Sequence, residues 1–186
     1  MFIGAILVMT LVIYAKQRLL NPAPCLPNSL PANHGFKIAS LNVNSLIKHI
    51  DELRIFLADN PVDVLAIKES KLDDSIKNCE LYISGCEIIR RDRNRNGGGV
   101  CFYIKNSINF VTGRDFSLSD LENLCLEIQN LCAKPFLVVT WYRPPWSSAE
   151  LFSHYETLVG KLDSLDLEYY LMGDLNCNMA LCPFRH

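Results

Sequence analysis

Polar side chains follow four predicted strands of this chain, at the point where each strand ends. Asn42 ends the first apolar run, Glu69 the second and Tyr142 the third, while Asp174 and Asn176 end the fourth. Carboxylates, carboxamides and a phenol suit a cation that prefers oxygen ligands, together with a phosphate, better than they suit acyl transfer. Because strand ends in a layered sheet often converge on one edge, we expect these side chains to meet in one site.

The expected chemistry uses Mg²⁺, with Mn²⁺ as an alternative, to act on a phosphate. Mg²⁺ is usually bound through one or two carboxylates and keeps several waters, so Glu69 is the predicted metal ligand, with Asn42 as a carbonyl ligand or a supporting residue. Asp174 is predicted to orient and deprotonate the attacking water. Asn176 is predicted to hold a phosphate oxygen, and Tyr142 to donate a hydrogen bond to the developing charge.

Each of these residues alone also has a purely structural interpretation. An Asp that follows a Gly, such as Asp174, is more often a turn residue. Glu69 fits a solvated strand end, and Tyr142 fits packing against the two prolines that follow Arg143. The presence of all of these residues in order is what indicates a site.

A helix between the first two strands is predicted from the segment NSLIKHIDELRIFLADN, residues 44–60. Asn44 or Ser45 is its predicted N-cap, and Pro61 stops it. Its apolar residues recur at helical spacing and form one stripe: Leu46, Ile50, Leu53 and Leu57.

The remaining pattern predicts further strands and one more helix. The predicted strands are FKIASLNV, VDVLAIKES, VCFYIKNSI, the neighbouring pair LCLEIQN and FLVVTWY, and the start of YYLMGDLNCN. The second helix is SSAELFSHYETLVGKL, with Ser147 and Glu150 as a capping box and an apolar stripe of Leu151, Tyr155, Leu158 and Leu162. RRDRNRNGGG is predicted as a charged loop, either solvated or in contact with a DNA backbone. Helices alternating with adjacent strands indicate an α/β layered fold.

Composition indicates a folded protein of a reducing, intracellular compartment. Apolar residues make up 49% of the chain and the net charge is −2, which permits a large core and excludes a chain-wide basic surface for nucleic acid. No two cysteines form a C-x-x-C pair, and several lie in apolar runs, so we expect mostly buried free thiols. The eight positions are Cys25, Cys79, Cys86, Cys101, Cys125, Cys132, Cys177 and Cys182.

Three segments are predicted along the chain. Residues 1–20 are apolar, and residues 2–15 within them are a candidate membrane anchor, although a spanning helix needs at least about 17 apolar residues. Residues 21–35 are a Pro-rich linker. Residues 36–186 form the folded domain.

Five stretches, taken in order, resemble the endonuclease/exonuclease/phosphatase superfamily, and most of all the apurinic-endonuclease-like domains of non-LTR (LINE-type) retrotransposons. These stretches are SLNVNSL, AIKESKL, GGGVCFYIKNSI, VVTWYRPP and LMGDLNCN, and the resemblance spans residues 36–178. It implies a four-layer αββα sandwich of the deoxyribonuclease-I-like type. It also implies Mg²⁺-dependent phosphodiester cleavage, a DNA partner and, by family analogy, a nuclear location.

The resemblance also implies a role for each matching position. Lys71 falls where some members carry a Lys, and Asn44 stands where several members carry an Asp, so a metal role for Asn44 is not expected. The positions that match the family's site residues are Asn42, Glu69 as the metal-binding Glu, Tyr142, Asp174 and Asn176.

The resemblance departs from the family pattern at the carboxyl end. Family members continue for several strands and finish with a Ser-Asp-His motif, whereas this sequence ends in MALCPFRH, and His186 does not stand in such a motif. We therefore expect a truncated domain with an incomplete second half of the sandwich.

Three functions remain open from the sequence, and whether the chain is an active enzyme is undecided. The first is a Mg²⁺-dependent phosphodiesterase that nicks DNA. The second is a catalytically inactive truncated remnant, tethered to a membrane through residues 2–15. The third is a phospholipid or inositol-phosphate phosphodiesterase, which the YRPP and ESKL contexts disfavour.

Overall fold

The computed structural model describes residues 35–112, 122–129, 134–144, 147–148 and 150–174. The first sheet contains, in spatial order, β1 (Ile38–Asn42), β2 (Val64–Lys68), β4 (Val100–Lys105) and β3 (Cys86–Arg91). The second contains β5 (Phe110–Thr112), β6 (Glu122–Ile128), β7 (Phe136–Tyr142) and β8 (Glu168–Asp174). The two helices are α1 (Leu46–Asp59) and α2 (Glu150–Asp163).

Four layers result from the packing of these elements, as predicted. Helix α1 covers the outer face of the first sheet, and helix α2 covers the outer face of the second. The inner faces pack on each other through alternate strand residues, since successive strand side chains point to opposite faces. Those inner residues are Val64, Ala66, Phe102 and Ile104 of the first sheet and Leu126, Ile128, Val138 and Met172 of the second.

Helix α1 forms where the sequence predicts it, because its apolar residues repeat at helical spacing. The residues it buries are the predicted ones, Leu46, Ile50, Leu53 and Leu57. Ile55 on the opposite side is 67% exposed. Each fully buried aliphatic side chain contributes about 1.5–3 kcal/mol, so the stripe holds α1 on the sheet.

The predicted N-cap of α1 has the right position, but no side-chain hydrogen bond from a described residue caps the helix. Ser45 occupies the N-cap position, with Asn44 one residue before it, but the Ser45 side chain makes no capping hydrogen bond to a described residue. Instead, the backbone N–H of Ser45 donates to the Glu69 carbonyl at 2.9 Å, and that of Leu46 donates to the Ser70 carbonyl at 2.9 Å. The start of α1 is therefore fixed to the loop that follows β2.

Helix α2 buries Leu151, Leu158 and Leu162, three of the four residues predicted. The fourth, Tyr155, is partly buried and stacks on Trp141 with 4.6 Å between the ring centroids. The predicted capping box is wrong: Ser148, the residue after Ser147, is not helical, so Ser147 is not the N-cap. The Ser147 carbonyl instead accepts a hydrogen bond from Arg143 at 2.6 Å.

The charged loop predicted from residue 90 begins later than expected, since Arg90 and Arg91 belong to β3. Arg90 pairs with the Asp92 carboxylate at 2.9 Å and donates to the Asp73 carbonyl at 3.2 Å. Arg91 donates to the Asn123 carbonyl at 3.3 Å. Arg90 thus has a charged partner and Arg91 a carbonyl acceptor within the protein, so the strand tolerates residues that would otherwise indicate a solvated loop.

The four described cysteines are free, as predicted. Cys101 and Cys125 are buried and Cys86 is half-buried, but Cys79 is exposed, which corrects the expectation for that position. Burial raises the pKa of the Cys101 and Cys86 thiols, so both stay protonated at neutral pH. The other four cysteines lie outside the described residues.

Residues 1–34, which contain the predicted apolar segment and nearly all of the predicted linker, also lie outside the described part. Among the helices that the structure describes, none is both long enough and apolar enough to cross a bilayer.

Candidate active site

Two pairs of parallel strands bring the predicted strand ends to one edge of the sandwich. In the first sheet β1 lies parallel to β2, with Asn42 beside Lys68, and Glu69 comes next in the chain. In the second sheet β7 lies parallel to β8, with Tyr142 beside Asp174. Parallel strands have their carboxyl ends at the same edge, so each sheet contributes two strand ends.

Glu69 joins the two sheets at this edge. Its Oε1 accepts a hydrogen bond from the Asn42 Nδ2 at 3.1 Å and another from the Tyr142 hydroxyl at 2.9 Å. Tyr142 belongs to the other sheet and is 73 residues away in the chain. The Glu69 side chain is 19% exposed, so it is mostly enclosed yet accessible to a ligand. The structure thus brings Asn42, Glu69 and Tyr142 together.

Lys71 and Asn44 lie beside this group. The Lys71 Nζ is 3.8 Å from Glu69 Oε2 and also donates a hydrogen bond to Asn44 Oδ1. The Asn44 backbone N–H donates to Asn42 Oδ1 at 3.2 Å. Asn42 therefore turns its amide nitrogen toward Glu69 and its oxygen away, which favours a supporting role over a role as metal ligand.

A glycine turn holds the backbone of the Glu69 loop. The Ser70 N–H donates to the Gly99 carbonyl at 3.1 Å, and the Lys71 N–H donates to the Gly98 carbonyl at 3.0 Å. Both glycines have positive φ, and a Cβ added at Gly99 would lie 2.5 Å from Ser70 Oγ. Sequence reasoning misses this role, for which the run of three glycines at residues 97–99 is the available signal.

Asp174 is the residue at which the described part of β8 ends. Its backbone lies beside Tyr142, while its side chain, and all of Asn176, are outside the described residues. Gly173 comes just before it, and a Cβ there would lie 1.6 Å from Trp141 Nε1. The glycine that precedes Asp174 is thus required by the indole ring packed against it.

The donor set at this edge fits Mg²⁺ or Mn²⁺. Among the described residues there is no group of three or more His, Cys, Asp or Glu that could hold a metal ion. Mg²⁺ does not need such a group, because it usually binds one or two carboxylates and keeps several waters. Glu69 supplies one partly exposed carboxylate, with the Tyr142 hydroxyl close by. A carboxylate oxygen is a ligand of the type that Mg²⁺ prefers.

Comparison with protein families gives one match, to the model of the Endonuclease/Exonuclease/phosphatase family, over residues 39–181. A comparison with curated protein sequences gives no significant match.

Solved structures with a similar fold include nucleases and phosphatases. The endonuclease domain of TRAS1, a telomere-specific non-LTR retrotransposon, has a TM-score of 0.58 at 12% identity and covers 78% of this chain and 61% of that domain. The 3′ phosphatase NExo from Neisseria, bound to a product DNA hairpin, has a TM-score of 0.54 at 19% identity, covering 76% and 58%. A mannosyl-6-phosphatase from Bacteroides thetaiotaomicron has a TM-score of 0.58 at 12% identity, covering 78% and 67%.

These identities are low, so the structural matches show the fold and not the substrate. The chain spans about three fifths of the length of TRAS1 and NExo.

Proposed function

The chain belongs to the endonuclease/exonuclease/phosphatase family, and from this premise we propose that its Glu69 site hydrolyses phosphodiester bonds of DNA with Mg²⁺ or Mn²⁺. The observation that carries the proposal is the carboxylate of Glu69, which accepts hydrogen bonds from Asn42 of one sheet and from Tyr142 of the other. Structural residues of a sandwich have no need to converge in this way at a partly exposed edge.

In the proposed mechanism, Glu69 would hold the metal ion, which when bound supplies charge neutralisation on the phosphoryl oxygens. Asn42 fixes the orientation of the Glu69 carboxylate through the 3.1 Å hydrogen bond. The Tyr142 hydroxyl, which donates to Glu69 at 2.9 Å, would donate to a phosphoryl oxygen as negative charge develops there. Lys71 adds a positive charge that attracts the phosphate.

Asp174 completes the proposed chemistry from the end of β8. Its carboxylate takes a proton from the attacking water, and the water oxygen forms a bond to phosphorus as the bond between phosphorus and the leaving oxygen breaks. The leaving oxygen then takes a proton from solvent. Asn176, two residues farther along, holds a phosphate oxygen. The strand register supports this assignment, because the backbone of Asp174 lies beside that of Tyr142.

DNA is the proposed substrate because the solved relatives include a retrotransposon endonuclease domain and an enzyme bound to a DNA hairpin. The mannosyl-6-phosphatase shows that this fold also serves a small phosphate ester. The substrate test therefore needs both classes.

Nicking of a supercoiled plasmid in Mg²⁺ and in Mn²⁺ tests the proposal. The wild-type chain is compared with Glu69→Gln and Asp174→Ala, and with Glu87→Gln, an exposed glutamate of β3, as the matched control. We expect nicking by the wild type and by Glu87→Gln, and a loss of at least about 100-fold in the two site variants. EDTA should abolish nicking by the wild type.

Parallel assays with mannose 6-phosphate and with a DNA 3′-phosphate separate diesterase from phosphatase activity. A folded chain that does not nick DNA, or that nicks equally well after Glu69→Gln, would contradict the proposal. The first of these outcomes would support the alternative of a catalytically inactive remnant.

A further inference from the structure

Glu122, at the start of β6 in the second sheet, contacts the turn at Gly98 and Gly99 that precedes β4 of the first sheet. Its Oε2 accepts a hydrogen bond from the backbone N–H of Gly99 at 2.6 Å, and its Oε1 accepts one from Arg93 Nη1 at 2.9 Å. The Glu122 side chain is 16% exposed. A carboxylate that is this enclosed and receives two short, charge-assisted hydrogen bonds is held in one orientation.

The hydrogen bond to Gly99 connects Glu122 with the candidate site. Gly99 and Gly98 accept hydrogen bonds from the backbone of Ser70 and Lys71, the two residues that follow Glu69. Glu122 therefore binds the same glycine turn to which the Glu69 loop is hydrogen-bonded. The Glu122 carboxylate lies close against this turn, since a Cβ at Gly98 would lie 2.6 Å from both of its oxygens.

The backbone of Glu122 is connected with the same site through strand pairing in the second sheet. In the antiparallel pairing of β6 with β7, Glu122 is the register partner of Tyr142. Tyr142 is the residue whose hydroxyl donates to Glu69 at 2.9 Å. One residue therefore pairs with Tyr142 through its main chain and fixes the glycine turn behind Glu69 through its side chain.

We propose that Glu122 is a positioning residue of the Glu69 site: its carboxylate ties the Gly98–Gly99 turn of the first sheet to the strand of the second sheet that carries Tyr142. This fixes the distance between the Glu69 carboxylate and the Tyr142 hydroxyl. The effect of Glu122 on catalysis rests on the proposed function, whereas its effect on the structure of the glycine turn does not. Sub-ångström placement of such groups changes rates strongly, because reacting atoms must be held in a narrow range of geometries.

Three variants separate the two contacts of Glu122. Glu122→Ala removes both hydrogen bonds. Glu122→Gln keeps an oxygen that can accept from Gly99 but loses the charged pair with Arg93, and Arg93→Ala removes that pair alone. Glu127→Gln, on the same strand away from the site, is the matched control.

The first measurement is amide hydrogen exchange by NMR in the full chain, which needs no activity. We expect Glu122→Ala to increase the exchange rates of the Gly99, Ser70 and Lys71 amides by at least about tenfold, while amides within α2 keep their wild-type rates. Glu122→Gln and Arg93→Ala should each change the three rates less than Glu122→Ala does. Unchanged rates at these amides in Glu122→Ala, or equal acceleration throughout the protein, would overturn the proposal.

The second measurement is plasmid-nicking kinetics of the same variants. We expect kcat to fall by at least about tenfold in Glu122→Ala with KM for DNA within about twofold of the wild type, and the Gln variant to recover most of the loss. A rise of KM with kcat unchanged would overturn the positioning role. If the wild type itself does not nick, the proposed function fails, and the exchange data still decide whether Glu122 holds the turn.

Discussion

Gly173→Ala is expected to destabilise the protein strongly, although it adds a single methyl group. The new Cβ would lie 1.6 Å from Trp141 Nε1 and 2.3 Å from two carbons of the same ring. Unbonded heavy atoms in a protein core stay about 3.5–4.0 Å apart, so the overlap amounts to roughly 2 Å. Trp141 is 2% exposed and stacks on Tyr155 of α2, so the ring has no free space to enter.

The loss in unfolding free energy depends on which groups must move to make room for the new methyl group. Ordinary overpacking costs about 1–3 kcal/mol, and expelling a buried tryptophan costs about 3–5 kcal/mol. Because an overlap of this size forces either the indole ring or the β7–β8 pairing to shift, we expect about 3–5 kcal/mol. For a chain of 186 residues this corresponds to a fall in Tm of roughly 6–20 °C.

Thermal and urea unfolding, followed by circular dichroism, measure the effect against Gly160→Ala. Gly160 lies in α2 with no described atom within 4 Å of an added Cβ, so this control should gain about 0.5–1 kcal/mol from helix propensity. In a Trp141→Leu background the smaller side chain leaves room for the methyl group, and the cost of Gly173→Ala should fall below about 1 kcal/mol. A Gly173→Ala protein that melts within about 1 °C of the wild type would refute the packing described here.

Two further predictions concern tyrosine hydroxyls. Tyr142→Phe removes the donor to Glu69, so we expect a loss of about 1–2 kcal/mol in urea unfolding and of at least about tenfold in nicking, whereas Tyr82→Phe at a 60% exposed position should change neither. Burial, helped by the hydrogen bond to Asp163, raises the pKa of Tyr169 to about 12. Its contribution to stability is therefore complete below pH 10 and is lost as the pH rises toward 12, because the unfolded chain then releases the proton first. Tm measured from pH 9 to 12 should fall less steeply for Tyr169→Phe than for the wild type; parallel curves would exclude this account.

Local pattern was sufficient to predict helices packed on a sheet, whereas the four-layer sandwich was predicted only from the family resemblance. The stripe Leu46, Ile50, Leu53 and Leu57 identifies the buried face of α1 because helical spacing is a property of neighbouring residues alone. The same holds for β2, whose five residues are all buried. Strand β3 escaped prediction because its arginines find partners distant in sequence, such as the carbonyl of Asn123.

The candidate site could be predicted only in part. Strand-end chemistry, together with the family resemblance, indicated Asn42, Glu69 and Tyr142, which the structure brings together. Nothing local to the sequence indicates that Glu69 has a positive φ or that Glu122 reaches the glycine turn 23 residues earlier. Both features depend on how two sheets pack, and that packing is set by the whole core.

The backbone at this edge is strained, and this strain supports the proposed chemical role of the side chains there over a purely structural one. Four of the five non-glycine residues with positive φ in the described part of the chain lie in two adjoining loops: Asn44 at 46°, Ser45 at 113°, Glu69 at 53° and Lys71 at 52°. Such conformations cost of order 1–3 kcal/mol each in residues other than glycine, and asparagine tolerates them best.

Glycine at positions 69 and 71 would relieve the backbone strain. It would also remove the Glu69 carboxylate, which accepts hydrogen bonds from Asn42 and Tyr142, and the Lys71 ammonium beside it. The strain persists because backbone hydrogen bonds fix these loops from both sides, to the start of α1 and to the glycine turn. A simple connection between β2 and the next strand gives no reason to hold charged residues in this conformation, whereas the proposed site, in which they would act on a phosphate, does.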